Sequence, residues 1–124
     1  MGFVPRVTTE SEDEEQQKVI KWALMQSNLY PELNRLLHIP NGGSRHPAEA
    51  AKLKRMGVRA GVPDLLLPFP KGECAGLWIE MKTNTGRPTA AQMDWIEWLR
   101  SVGYCAYVCH GAEAAIEAIK RYLQ

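Results

Sequence analysis

The chain has 124 residues, of which 45% are hydrophobic and 23% are charged, and its formal net charge is +1. This length and composition are typical of one soluble globular domain with one core. The nearly balanced charge gives no general signal for nucleic-acid binding, and no apolar stretch reaches the roughly 18–20 residues of a membrane-spanning helix.

The first predicted element is a helix that follows a loose arm at residues 1–10. Ser11 can cap this helix, and the acidic residues that follow it suit the positive end of the helix dipole. Apolar side chains recur at helical spacing along this helix, which is predicted to extend to about Asn28. Residues 11–124 are therefore expected to form a single domain.

A short strand at residues 36–40 and a short helix at residues 47–56 are predicted next. The segment Asn41-Gly42-Gly43-Ser44 between them has turn chemistry and lets the backbone approach a neighbour closely. Backbone contact with a phosphate and a plain flexible turn are equal alternatives for this segment. His38 is expected to be a packed strand residue rather than a ligand.

Basic residues are concentrated around the short helix, and only Glu49 opposes them. This local patch predicts a surface for a phosphodiester backbone, although ordinary cations on a helix surface are the alternative. The predicted DNA-binding residues here are Arg45, Lys52, Lys54, Arg55 and Arg59.

Two apolar runs separated by turn-forming residues form the centre of the chain. Asp64 precedes the first run, residues 65–67, and the second run covers residues 77–82. The spacer contains two prolines and two glycines, which predicts a hairpin that brings Asp64 beside Glu80. Because alternate side chains of a strand face opposite ways, Glu80 and Lys82 share one face of the sheet.

Two carboxylates and an ammonium group in one place suit a hard cation that acts on phosphate esters. Magnesium usually takes one or two protein carboxylates, and water and substrate phosphate complete its ligand shell. Such a cation activates water and offsets charge on a phosphodiester. Solvated polar residues on an edge strand are the alternative for Glu80 and Lys82, but Asp64 on the neighbouring strand favours the metal site.

The rest of the chain predicts a polar loop, a helix at residues 89–101, a strand at 104–109 and a final helix at 112–123. The element order α-β-α-β-β-α-β-α indicates an α/β fold with a mixed β-sheet flanked by helices. The strand–helix–strand unit near the end predicts parallel pairing of its two strands.

The three cysteines, Cys74, Cys105 and Cys109, are expected to be free thiols in a reducing compartment. Cys105 and Cys109 would point the same way on one strand, and no second pair or suitable histidines complete a zinc site.

An ordered set of short segments resembles the VRR-NUC family, the virus-type replication-repair nucleases of the PD-(D/E)xK nuclease superfamily. Pro63-Asp64 followed by Glu80-Met81-Lys82 is similar to the superfamily signature. Three further segments narrow the resemblance to this family: Ile39 to Gly43, Gly57 to Leu65, and Gly86-Arg87-Pro88 before a helix that carries Gln92. The likeness extends from about Glu12 to Leu123.

The resemblance implies a restriction-endonuclease-like core and a metal centre that hydrolyses phosphodiesters. Asp64, Glu80 and the backbone carbonyl of Met81 would bind Mg²⁺ or Mn²⁺. Lys82 would orient and activate the attacking water. Arg87, in a matching segment, joins the predicted DNA-binding residues.

Two further site residues are implied by the same resemblance. Glu15, which precedes Gln16-Gln17, resembles the first-helix glutamate that approaches the metal through water, and Glu12 and Glu14 are alternatives to it. Gln92 would help to position the lysine or the substrate. A capping box with Thr89 is a structural alternative for Gln92.

The function implied is that of a metal-dependent, structure-specific DNA endonuclease, with four-way (Holliday) junctions of repair or recombination as possible substrates. A homodimer and a cytoplasmic location in a bacterial or phage-infected cell are expected. One alternative is a non-catalytic DNA-binding module with a degenerate nuclease fold. A sequence-specific restriction-type enzyme is another, although the short chain shows no base-reading insertion.

Overall fold

The computed structural model of the chain describes residues 11–40 and 46–124, which form a four-stranded sheet flanked by helices. The predicted arm, the turn at residues 41–44 and Arg45 lie outside the described residues. The helices are α1 (Glu12–Met25), α2 (Pro47–Arg55), α3 (Ala90–Ser101) and α4 (Ala112–Leu123). The strands are β1 (Leu37–His38), β2 (Leu65–Leu67), β3 (Leu77–Lys82) and β4 (Cys105–His110), and a 3₁₀ helix occupies Pro31–Arg35.

The sheet has the strand order β1-β2-β3-β4. The β2–β3 hairpin is antiparallel, with Leu65 opposite Ile79, whereas β3 and β4 pair in parallel through the crossover helix α3. These observations confirm the predicted α/β architecture, its mixed sheet and its parallel pair. Strand β1 is shorter than predicted, and His38 is exposed rather than packed.

Each face of the sheet packs against a different set of helices. The odd-numbered residues of β3, such as Ile79, join the larger core cluster with α1 and α4. The even-numbered Trp78 joins a smaller cluster with Ile96 and Leu99 of α3. The predicted alternation of β3 is therefore confirmed, and Glu80 and Lys82 lie on the face covered by α3.

Helices α1 and α3 begin at capping boxes that the sequence contains. Ser11 accepts a hydrogen bond from the Glu14 backbone N–H, and the Glu14 carboxylate accepts one from the Ser11 N–H. Helix α1 ends at Met25, earlier than predicted, and a turn follows. In the described parts of the chain, no helix combines the length and apolar character required to cross a membrane.

The outer edge of β4 is covered at one position by a side chain of α3. The N–H groups of Cys105 and Gly111 donate to the β3 side, so the Ala106 carbonyl points outward. Arg100 donates two hydrogen bonds to this carbonyl, of 3.0 Å from Nε and 2.7 Å from Nη2. Its guanidinium carbon also lies 6.0 Å from the centre of the Tyr107 ring.

The cysteines differ from the prediction of three free thiols, which is wrong. Cys74 and Cys105 form a disulfide, with their Cα atoms 5.6 Å apart. Pairing of the Cys105 N–H with the Gly76 carbonyl brings the hairpin segment beside β4, and this proximity depends on the tertiary fold. Cys109 is the free cysteine, and burial raises the pKa of its thiol to about 11. The thiol argument for a reducing compartment is therefore lost.

Candidate active site

Asp64 stands where the β2–β3 hairpin opens. Continuing the register of Leu65 opposite Ile79 by one residue places Asp64 opposite Glu80. Strand β2 begins only at Leu65, and the Asp64 carboxylate instead accepts a hydrogen bond of 2.8 Å from the Met81 N–H. The predicted hairpin therefore does bring the two acidic residues together.

Glu80 is a buried acid whose negative charge is poorly compensated. Its side chain is 1% exposed, and its Oε1 atom has no hydrogen-bond partner. Burial is the main reason that its pKa rises from 4.5 to about 8, and the Asp64 charge adds to the rise. The Lys82 ammonium opposes the rise without cancelling it. The site therefore favours additional positive charge.

Lys82 lies between two carboxylates from different elements. Its Nζ atom is 3.7 Å from Glu80 Oε2 and 3.6 Å from Glu12 Oε2. The lysine is only 7% exposed and Glu80 is 1% exposed, so their ion pair is shielded from solvent far more than a surface pair is, whereas the Glu12 side chain is 43% exposed. The first turn of α1 thus reaches the carboxyl end of β3.

The direction of the Met81 carbonyl follows from the alternation of the strand backbone. The Lys82 carbonyl accepts a hydrogen bond from Gly111 N–H, on the β4 side of β3. The adjacent Met81 carbonyl must point the opposite way, toward the edge where Asp64 binds the Met81 N–H. This placement suits the ligand role predicted for the Met81 carbonyl.

The three glutamates considered in the first helix have three different environments. Glu15 accepts a hydrogen bond of 2.6 Å from Ala112 N–H at the start of α4, and its other oxygen is 3.8 Å from Lys18 Nζ. Glu14 belongs to the exposed capping box, and Glu12 reaches Lys82. The role of Glu15 as a ligand through water stays a prediction, and Glu12 is the acid that the fold brings to the lysine.

Gln92 forms the capping box that was its structural alternative. Its side-chain oxygen accepts a 2.8 Å hydrogen bond from Thr89 N–H, and its own N–H donates to the Thr89 hydroxyl. The side chain is half-buried at the first turn of α3. Its predicted role in positioning the lysine or the substrate stays a prediction.

The predicted DNA-binding residues are exposed wherever the structure describes them. This group comprises Lys52, Lys54, Arg55, Arg59 and Arg87.

His38 lies beside the candidate site, which was not predicted: its Nδ1 atom lies 2.9 Å from the Asp64 carbonyl oxygen. A carbonyl only accepts, so Nδ1 carries the hydrogen. Only the β1–β2 pairing brings these two residues together, and no local sequence pattern indicates that pairing.

The ligand atoms that the site offers can be compared with those that the metal ion implied by the sequence prefers. Across residues 11–40 and 46–124, no three acidic, histidine or cysteine side chains converge as a complete metal centre. Asp64, Glu80 and the Met81 carbonyl instead offer oxygen atoms only, and Mg²⁺ and Mn²⁺ prefer oxygen. The buried Glu80 Oε1 without a partner is an atom that a cation would satisfy. The residues therefore fit a magnesium-type ion with water in its remaining positions.

Comparison with known proteins identifies the family. The sequence matches the VRR-NUC domain family over residues 10–113. The chain belongs to the VRR-NUC domain family. A solved structure named "VRR_NUC domain protein" is 39% identical and superposes with a TM-score of 0.80, covering 92% of this chain and 88% of that one. The search of curated proteins found no match.

Family membership confirms the resemblance drawn from the sequence. A VRR-NUC domain is a member of a nuclease superfamily, which implies DNA binding.

Proposed function

We propose that this VRR-NUC domain is a divalent-metal-dependent DNA endonuclease that hydrolyses phosphodiester bonds. The observation that supports this most strongly is the environment of Glu80. This carboxylate is almost completely buried, lies opposite Asp64, and has an oxygen without a partner. A carboxylate kept in this state destabilises the fold unless a cation joins it, which points to a binding function.

The residues have separate tasks in this proposal. Asp64, Glu80 and the Met81 carbonyl hold Mg²⁺ or Mn²⁺. When bound, the ion supplies Lewis acidity, which makes water more acidic and offsets charge on the phosphate. Lys82 orients and activates the attacking water, and its charge stabilises the anionic phosphate as negative charge builds up. Gln92 supports the lysine from the first turn of α3.

The first-helix acid is assigned to Glu12 in preference to Glu15. Glu12 lies within ion-pair distance of Lys82, whereas one Glu15 oxygen is occupied by the Ala112 N–H. Glu12 can therefore orient the lysine and approach the ion through water. Glu15 anchors α1 to the start of α4 and keeps the first turn of α1 in place.

Branched DNA, including four-way junctions, is the proposed substrate, and a homodimer is the proposed active form. Two sites related by a two-fold axis would cut symmetric strands of a junction. The basic residues of α2 and the following segment would hold the backbone on the face that carries Glu80. Light scattering of the purified chain tests the dimer independently of cleavage.

A cleavage panel tests the proposed activity. Single-stranded, duplex, flap and four-way DNA would be incubated with Mg²⁺, Mn²⁺ or chelator. Cleavage that requires a divalent ion and favours branched DNA is expected. Binding to the panel without cleavage under any condition would instead identify a DNA-binding module with an inactive nuclease fold.

A further inference from the structure

A cavity of about 410 Å³ opens between α2, the segment at residues 58–60 and α3. Its lining combines two cations, one indole and small apolar groups: Ala50, Lys54, Val58, Arg59, Ala60 and Trp95. The volume lies within the range of about 300–1,000 Å³ that is typical of sites for small organic groups. The cavity can therefore admit a planar group such as a nucleobase.

The cavity lies on the face of the sheet that carries the candidate active site. Trp95 packs against the cluster that contains Trp78, and Trp78 and Glu80 point to the same face of β3. Arg59 also precedes Asp64 by one short segment of chain. A DNA strand whose phosphate reaches Glu80 and Lys82 would pass close to this cavity.

One glycine holds the wall of the cavity against α3. Gly61 has φ +91°, and a Cβ atom there would lie 2.9 Å from the Ala91 backbone carbonyl. Only glycine fits this conformation and this close approach. The segment that carries Arg59 therefore packs closely against the first turn of α3 at Gly61.

The lining has the chemistry that binds single-stranded nucleic acid. Aromatic rings stack on bases without regard to sequence, and neighbouring cations hold the backbone phosphates. Trp95 is only half-buried and lines the cavity, while Trp98, on the next turn, is 54% exposed and meets it edge-on at 5.8 Å.

We propose that this cavity binds one unpaired nucleotide of the substrate, with its base stacked on Trp95 and its phosphates held by Lys54 and Arg59. The inference rests on the proposed function for the identity of the substrate as DNA. It adds a reason for structure specificity, because a base in an intact duplex is already stacked and cannot enter. Flaps and junctions supply the unpaired nucleotide at little cost in lost stacking.

The test is a double-mutant cycle between Trp95 and single bases of the DNA. Binding of a labelled single-stranded oligonucleotide is measured by fluorescence anisotropy in chelator, with an abasic residue moved through the strand. Trp95→Leu should weaken binding about 5- to 100-fold. One abasic position should cause a similar loss in the wild-type protein and no further loss in Trp95→Leu.

Matched variants separate stacking from general damage. Trp95→Phe keeps an aromatic face and should retain most of the binding, and Trp98→Leu should change it less than about twofold. Ala50→Phe fills the cavity while Trp95 itself is retained and should abolish the abasic effect, which keeps the proposal testable if Trp95→Leu does not fold. Circular dichroism and thermal melting check the fold of each variant.

Two results would overturn the proposal. Additive losses from Trp95→Leu and every abasic position would show that no base stacks on this ring. An equal loss of affinity for blunt duplex would show that the cavity does not select unpaired nucleotides. Because these measurements need no cleavage, an inactive chain that shows the coupling would retain the cavity proposal and lose only the nuclease proposal.

Discussion

The Asp64 carboxylate is 2.8 Å from the Met81 backbone nitrogen, and the hydrogen bond between them joins the open end of the hairpin to β3. One carboxylate oxygen therefore accepts the hydrogen bond that a backbone carbonyl of β2 would accept if the strand extended this far. The same carboxylate lies beside Glu80, and its charge helps to raise the pKa of that acid. A structural bond and a proposed metal ligand are thus combined in one side chain.

Substitution of Asp64 should separate these two roles. Asp64→Asn keeps an oxygen that can accept the Met81 hydrogen bond but removes the charge, whereas Asp64→Ala removes both. Both variants should lower Mn²⁺ affinity at least about tenfold by calorimetry, and only Asp64→Ala should also lower the melting temperature markedly. Asp94→Asn, at an exposed position of α3, is the matched control. Normal Mn²⁺ affinity in Asp64→Asn would exclude this carboxylate as a ligand.

Lys82→Ala should abolish most of the cleavage while leaving DNA binding nearly intact. A positioned group that handles the proton of the nucleophile contributes about 10²–10⁴-fold to a rate, and a loss of that size is expected in single-turnover assays. Lys120→Ala, at an exposed position of α4, controls for the loss of a surface charge. Unchanged turnover in Lys82→Ala would refute the role assigned to the lysine.

Glu12 and Glu15 should differ in what their replacement affects. Glu15→Ala removes the acceptor for Ala112 N–H at the start of α4 and should lower the free energy of unfolding by about 0.5–2 kcal/mol. Glu12→Ala should leave stability nearly unchanged and reduce the cleavage rate, because it removes a partner of Lys82. Urea unfolding and single-turnover cleavage measure the two effects. A reversed pattern would return the first-helix role to Glu15.

The raised pKa of Glu80 predicts a pH dependence of both stability and metal binding. The pKa rises from 4.5 to about 8, mainly through burial and then through the Asp64 charge. This acid therefore contributes most to the stability of metal-free protein below pH 4.5, and the contribution is lost as the pH rises through about 8.

Unfolding in chelator at several pH values measures this loss, and Glu80→Gln should flatten the profile in that range. Mn²⁺ must displace a proton from Glu80, so its affinity should rise by about tenfold per pH unit below the pKa. A metal affinity independent of pH, with proton release absent from calorimetry, would contradict the assignment of Glu80.

Replacing Arg55 and Arg59 by Ala should weaken DNA binding and flatten its salt dependence. Each lost phosphate contact reduces the slope of log K against log salt by about 0.9, so the double variant should lose about two units of slope. A pair on α4, Lys120→Ala with Arg121→Ala, should leave the slope unchanged because α4 covers the other face of the sheet. An unaltered slope in the first variant would place the DNA elsewhere.

The local patterns of the sequence were sufficient to predict the elements and the central pair of acids. Alternation in Leu77–Lys82 determines which side chains face α3, and the proline- and glycine-rich spacer favours a hairpin that returns toward Asp64. The capping box at Thr89 was also predictable from a local pattern, because all of its atoms lie within one helical turn.

Features that depend on how distant elements pack were not predictable in this way. The choice of Glu12 over Glu15 as the partner of Lys82 depends on how α1 lies across the end of the sheet. The Cys74–Cys105 bond needs the parallel pairing of β3 with β4, which a spacing of 31 residues does not reveal. In both cases the sequence supplied the correct residue types, and only the tertiary arrangement selected the partners.

The guanidinium of Arg100 has a consequence for assembly. By occupying the outward carbonyl of Ala106, it competes for the acceptor that an incoming strand from a second copy would need near the start of β4. Continuous growth of the sheet from molecule to molecule is thereby hindered at this edge. Open-ended fibres based on the β4 edge are disfavoured.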